Sequence, residues 1–168
     1  MERIIKEKRT VVVAADVRNC LALGSLVTAM VGVPGIGGIK LGVVLAMQDL
    51  ATSVRIVRRN MGPKFPIIYD HQKAANDIPE MGAPFAEGLK EAGVDAAILF
   101  PFAGPATQEA WTKACFDVGL QVITGGIMTH AKFLVSEGGY IANTAPEQIF
   151  FQACKDGVRD FVVPGTKV

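Results

Sequence analysis

FPIIYDHQKAANDIP, residues 65–79, joins a short apolar run to a loop crowded with charge. Residues 65–70 read as a buried strand ending in Asp70, and Lys73 and Asp77 follow within the same loop. The pattern repeats outward from this stretch. Residues 10–17 (TVVVAADV) form an apolar run ending near Asp16, and residues 38–44 (GIKLGVV) carry Lys40 in their middle. Further on, LQVIT (120–124) precedes a linker holding Thr129. Asp16, Lys40, Asp70 and Thr129 thus sit at or just past the ends of successive predicted strands. Barrel enzymes gather their catalytic groups at one rim in this way, each from a different strand.

Between these runs lie helical patterns, at about 18–30, 49–60, 82–92, 105–118 and 146–156. Asp49 is the expected N-cap of the second, with Arg55, Arg58 and Arg59 as charges near its C-terminal end. Gly93 follows the third in the place glycine favours after a helix. Thr144 and Glu147 form a capping-box pattern before the last helix. Further strands are expected at 95–102 (DAAILFPF) and 159–163 (RDFVV), giving six in all. The strands are continuous apolar runs, as in a parallel sheet covered on both faces. Strict alternation of strand and helix means right-handed crossovers and an α/β fold. GVPGIGGIK (32–40) has the look of a dinucleotide loop but precedes a strand, which is the wrong context. The polar strand ends favour a TIM (β/α)₈-type barrel, about six βα units of it, over a doubly wound sheet. Residues 1–168 are then a single partial barrel domain, short against the ~250 residues typical of such folds.

Composition narrows the function. Half the chain is hydrophobic, a fifth is charged and the formal net charge is +1, values of a folded globular chain. Near-neutrality gives no electrostatic reason to expect nucleic acid or an anionic membrane as partner. The apolar stretch 21–39 is cut by Gly32, Pro34, Gly35, Gly37 and Gly38, which excludes a spanning helix. The charged N-terminus does not read as a signal peptide, and Cys20, Cys115 and Cys154 read as buried reduced thiols, so a cytoplasmic protein is expected.

Chemistry is expected from the charges. Lys40, buried in a strand, needs a carboxylate partner. With Asp70, Lys73 and Asp77 it makes an alternating array in which each charge has an opposite neighbour. A lysine held between carboxylates is a proton donor of fixed position, and a carboxylate facing an anionic substrate group destabilises that group.

With AADV (14–17), IKLG (39–42), DHQKAANDIP (70–79), MTH (128–130) and VVPGT (162–166) in this order, the chain resembles the orotidine 5′-monophosphate decarboxylase family along its whole length. The resemblance implies a metal-free, cofactor-free conversion of orotidine monophosphate to UMP and CO2 in pyrimidine biosynthesis. It implies that Asp16 and Lys40 hold the ribose hydroxyls and that Lys40 pairs with Asp70. Asp70 would stand beside the substrate carboxylate, and Lys73 would protonate the ring carbon. Asp77 would reach into the partner's site of a homodimer. Ile78, Thr129 and Pro164 fall on substrate-binding positions of the matching motifs. Two departures stand out. The loop reads D-x-x-K-x-x-x-D, one residue longer in each interval, for which a strand-end bulge is expected. No segment matches the family's seventh and eighth strands, which carry its phosphate-binding loop.

Two other readings compete. The magnesium-dependent 3-hexulose-6-phosphate synthases and 3-keto-gulonate-phosphate decarboxylases are similar in the third-strand loop, but carry a Glu ligand where this chain has Lys40. The other is a non-catalytic barrel fragment that binds a phosphorylated ligand. His71 and His130 read as surface or supporting residues, Trp111 as helix packing, and Phe100, Phe102, Phe150 and Phe151 as core.

Overall fold

The computed structural model describes residues 3–72 and 74–166; Lys73 lies outside the described residues. The elements alternate as expected: β1 (Val11–Ala15), α1 (Cys20–Met30), β2 (Ile36–Gly42), α2 (Val43–Met61), β3 (Ile67–Asp70), α3 (Gly82–Ala92), β4 (Ala96–Leu99), α4 (Pro105–Asp117), β5 (Gln121–Gly125), α5 (Ala145–Lys155) and β6 (Asp160–Val162). All six strands are parallel and lie side by side in chain order, β1 to β6. A doubly wound sheet reverses its order at a switch point. Sequential winding is the barrel arrangement, here with β1 and β6 as open edges.

Side chains alternate between two cores, as strand geometry requires. Ile39 and Leu41 of β2, Ile67 and Tyr69 of β3, Ala97 and Leu99 of β4 and Val122 of β5 face the helices. There they meet Leu23, Val27, Val57, Leu89, Trp111 and Cys115. Ile68, Ala96, Ile98, Phe100 and Ile123 form the opposite, inner cluster, with Ile4, Val12, Phe102, Met128 and Val162 against it. Gly125 leaves room inside, because a Cβ there would overlap the Phe100 ring.

Several local expectations need correction. Helix α2 begins at Val43, inside the run read as strand, and its backbone breaks at Asp49 (φ −172°, ψ 99°). Asp49 does cap the longer part of the helix beyond the break, accepting from the Thr52 N–H at 2.9 Å. That contact and, above all, the Thr52 hydroxyl hold its carboxyl below the ordinary value. Thr144 makes no capping bond: its backbone is already helical (φ −85°, ψ −11°), whereas a cap needs an extended backbone to aim its hydroxyl. Phe151 is 63% exposed rather than core. Cys154 is exposed and Cys20 half-buried, so only Cys115 is a buried thiol, its pKa pushed up to about 12 by burial. Arg58 does more than offset a helix end. It donates to both Asp95 oxygens at 2.8 Å and to the carbonyls of Phe65 and Gly93, tying α2 to the starts of β3 and β4. Trp111 is packing, as read, 5% exposed against Phe85. Among the described residues no helix is long and apolar enough to cross a membrane.

Candidate active site

Alternation decides which strand residues look inward at the carboxyl end of the sheet. Lys40 lies between outward Ile39 and Leu41, Asp70 follows outward Tyr69, and Asp16 follows outward Ala15. Register then brings them together. Lys40 pairs with Ala14 on one side and Ile68 on the other, and Asp70 sits opposite Gly42, two residues beyond Lys40. The lysine Nζ donates to Asp70 Oδ2 at 2.6 Å, with side-chain exposures of 26% and 14%. The carboxylate partner that burial of Lys40 demanded is therefore present. The site is crowded at Gly42, where a Cβ would come 3.1 Å from Asp16 Oδ1.

The pair opens onto a cleft of about 740 Å³. Asp16, Arg18, Lys40, Asp70 and His71 supply its charge and hydrogen-bonding groups, and Val43, Val44, Met47 and Met128 an apolar wall. Asp70 Oδ1 is buried and has no hydrogen-bond partner among the described residues. Leaving such an acceptor unsatisfied is costly. His71 borders the cleft with Nδ1 3.1 Å from the Tyr69 hydroxyl. Tyr69 is 6% exposed, and burial, then the charge of Asp70, raise its pKa and keep it a hydrogen donor.

The other predicted residues are spread along the rim. Asp77 is exposed; its Oδ1 accepts from the Ile78 N–H at 2.7 Å and its carbonyl from the Thr107 hydroxyl. Ile78 is 58% exposed, and its carbonyl accepts from the Trp111 indole at 3.0 Å. Thr129 is exposed, and its neighbour Met128 is the linker residue that lines the cleft. Pro164 is buried just after β6. Lys73 falls on the undescribed position. The longer loop is absorbed without a bulge in β3, whose register to β2 and β4 is continuous; instead Ala75 turns the chain at φ 68°. Arg18 was not expected to line the cleft, though it closely follows Asp16, whereas His71, read as a surface or supporting residue, borders it. Among the described residues no three His, Cys, Asp or Glu side chains converge on a metal position.

No family model and no curated protein matches the sequence. Solved structures do. One is the crystal structure of KGPDC from Streptococcus mutans, solved as a ligand complex, with a TM-score of 0.65 at 18% identity, covering 94% of this chain and 63% of that one. Another is orotidine 5′-phosphate decarboxylase from Pyrococcus horikoshii OT3, with a TM-score of 0.69 at 22% identity, covering 93% of this chain and 68% of that one. At such identities the likeness is one of fold, and the chain carries the α/β barrel fold of these decarboxylases over 63–68% of their length.

Proposed function

We propose that the chain is a carboxy-lyase acting on orotidine 5′-monophosphate. The observation that carries this reading is the Lys40–Asp70 pair. It is a half-buried ion pair on the inner face of the sheet, and both its residues line a cleft. Replacing such a pair with apolar side chains is often neutral or stabilising, so chemistry is the better explanation of its presence.

In this reading the substrate carboxylate lies beside Asp70. Like charges at close range in a half-buried site raise the energy of the bound substrate, and the repulsion disappears as neutral CO2 leaves. The bond between the ring carbon and the carboxyl carbon breaks, and its electron pair stays on the ring carbon. Lys73 donates a proton there, forming the C–H bond of UMP. Lys40 holds Asp70 in place and, with Asp16, takes the ribose hydroxyls. Arg18 and the apolar wall of Val44 and Met47 suit the anionic and flat parts of a nucleotide. In this reading Asp77, exposed on the rim next to Ile78, enters the neighbouring site of a homodimer.

The likeness to KGPDC favours a second reading, a phosphosugar decarboxylase. A magnesium-dependent reaction of that kind is opposed by Lys40, whose charge repels a divalent cation at the position in question. The two are separated by following the absorbance of orotidine monophosphate with and without EDTA, in parallel with 3-keto-gulonate 6-phosphate. Metal-independent loss of the nucleotide signal is expected; turnover of the sugar phosphate alone, abolished by EDTA, would replace this reading with the second.

A further inference from the structure

The loop between β3 and α3 is fastened to the neighbouring unit more firmly than a surface connector needs. Phe100 N–H donates to the Ala74 carbonyl at 3.0 Å. Asn76 then grips the same stretch with both ends of its side chain: Nδ2 donates to the Phe100 carbonyl at 2.8 Å, and Oδ1 accepts from the Phe102 N–H at 3.1 Å. β3 and β4 pair last at Asp70 and Ile98, so this carboxamide continues the ladder past the point where the strands part. The left-handed turn at Ala75 aims the Ala74 carbonyl and the Asn76 side chain at the same partner. Downstream, the buried Thr107 hydroxyl holds the Asp77 carbonyl and the buried Trp111 indole holds that of Ile78, both at 3.0 Å.

We propose that Asn76 is a positioning residue, a side-chain splice from the β3–α3 loop to the end of β4 that holds the stretch of chain carrying Lys73 and Asp77. The inference rests on the decarboxylase reading, and its test keeps the two separable. Asn76→Ala removes both bonds; Asn76→Asp keeps the acceptor for Phe102 N–H and loses the donor to Phe100.

Three readouts are taken on each variant. They are hydrogen exchange of amides 74–78 without substrate, the Cε signal of Lys73 in lysine-labelled protein, and kcat and KM for orotidine monophosphate. The Lys73 signal is assigned by its loss in Lys73→Met. For Asn76→Ala, exchange at 74–78 should quicken about tenfold while β3 and β4 are unchanged. The Lys73 signal should shift, and kcat should fall about tenfold with KM within twofold. Asn76→Asp should fall between the two. Unchanged exchange together with an unmoved Lys73 signal overturns the inference, and so does faster exchange with unaltered kcat. If the unmodified protein fails to turn over the nucleotide, the decarboxylase reading falls, and exchange and the Lys73 signal decide the inference alone. Should Asn76→Ala not fold, Thr107→Val removes one downstream tie and is expected to shift all three readouts in the same direction.

Discussion

Replacing Lys40 with Met is the sharpest perturbation of the site, because it removes one charge and leaves the other where it was. Asp70 Oδ2 loses its only described partner, and Oδ1 has none among the described residues to begin with. At 2.6 Å and an effective dielectric of about 20, the gross attraction is roughly 6 kcal/mol, most of it offset by desolvation. Breaking a fully buried pair costs ~3–5 kcal/mol. Lys40 keeps 26% of its side chain and Asp70 14% in solvent, so ~2–3 kcal/mol is expected here. Asp70→Leu alone strands the lysine, whose longer chain reaches water more easily, and should cost ~1–2 kcal/mol. The double variant Lys40→Met, Asp70→Leu leaves no orphaned charge and should recover most of the loss. Urea unfolding of the four proteins, with m-values compared, gives the coupling directly. A coupling below ~0.5 kcal/mol, the worth of an exposed pair, would refute the view that the two charges are desolvated and held as a unit.

Three further outcomes are expected. Gly125→Ala places a methyl against the buried Phe100 ring and should cost ~1–3 kcal/mol, read as a lowered urea midpoint. Asp156 has a raised pKa, chiefly from burial, only partly offset by its bond from Gln152. A carboxyl whose folded pKa is raised is best tolerated below its unfolded value of 3.8 and destabilises as pH rises through the folded value. Asp156→Asn should therefore raise Tm at pH 7, by no more than ~3 °C given solvent screening, and leave it unchanged near pH ~3.5. In thiol labelling at pH ~8, Cys154 should react at once and Cys115 only on unfolding, because burial keeps Cys115 a thiol with a pKa of about 12. Rapid labelling of Cys115 in the folded state would contradict its place in the outer core.

Strands and helices were readable because their apolar runs are long enough to outvote local ambiguity, and the polar residues ending them marked the functional rim. The Lys40–Asp70 pair was readable for a related reason: a lysine amid GIKLGVV has to meet an acid, and Asp70 ends the adjoining strand. What sequence could not supply lies in contacts between residues far apart in the chain. Arg58 finds Asp95 across 37 positions, and Asn76 reaches Phe100 and Phe102 across 24 and 26. No short spacing rule encodes such partners. Thr144 failed as a cap for a local reason, a backbone already helical, that the T-x-x-E pattern does not report. The early start of α2 was hidden because GVVLAM (42–47) is as apolar as the strand before it, and only Gly42 marks the change.

The proposed chemistry is that this half-buried charge pair and the lysine three residues after Asp70 break a carbon–carboxyl bond without a metal. It is tested most directly by incubating the protein with carboxyl-labelled orotidine monophosphate in D2O and EDTA. The label in CO2 and the deuterium in UMP are then measured. Labelled CO2 should appear together with UMP deuterated at the carbon that lost the carboxyl group, and both should vanish in Lys73→Ala while that variant unfolds at the same urea concentration. Full activity in Lys73→Ala, or no labelled CO2 from the unmodified protein under these conditions, would contradict the account.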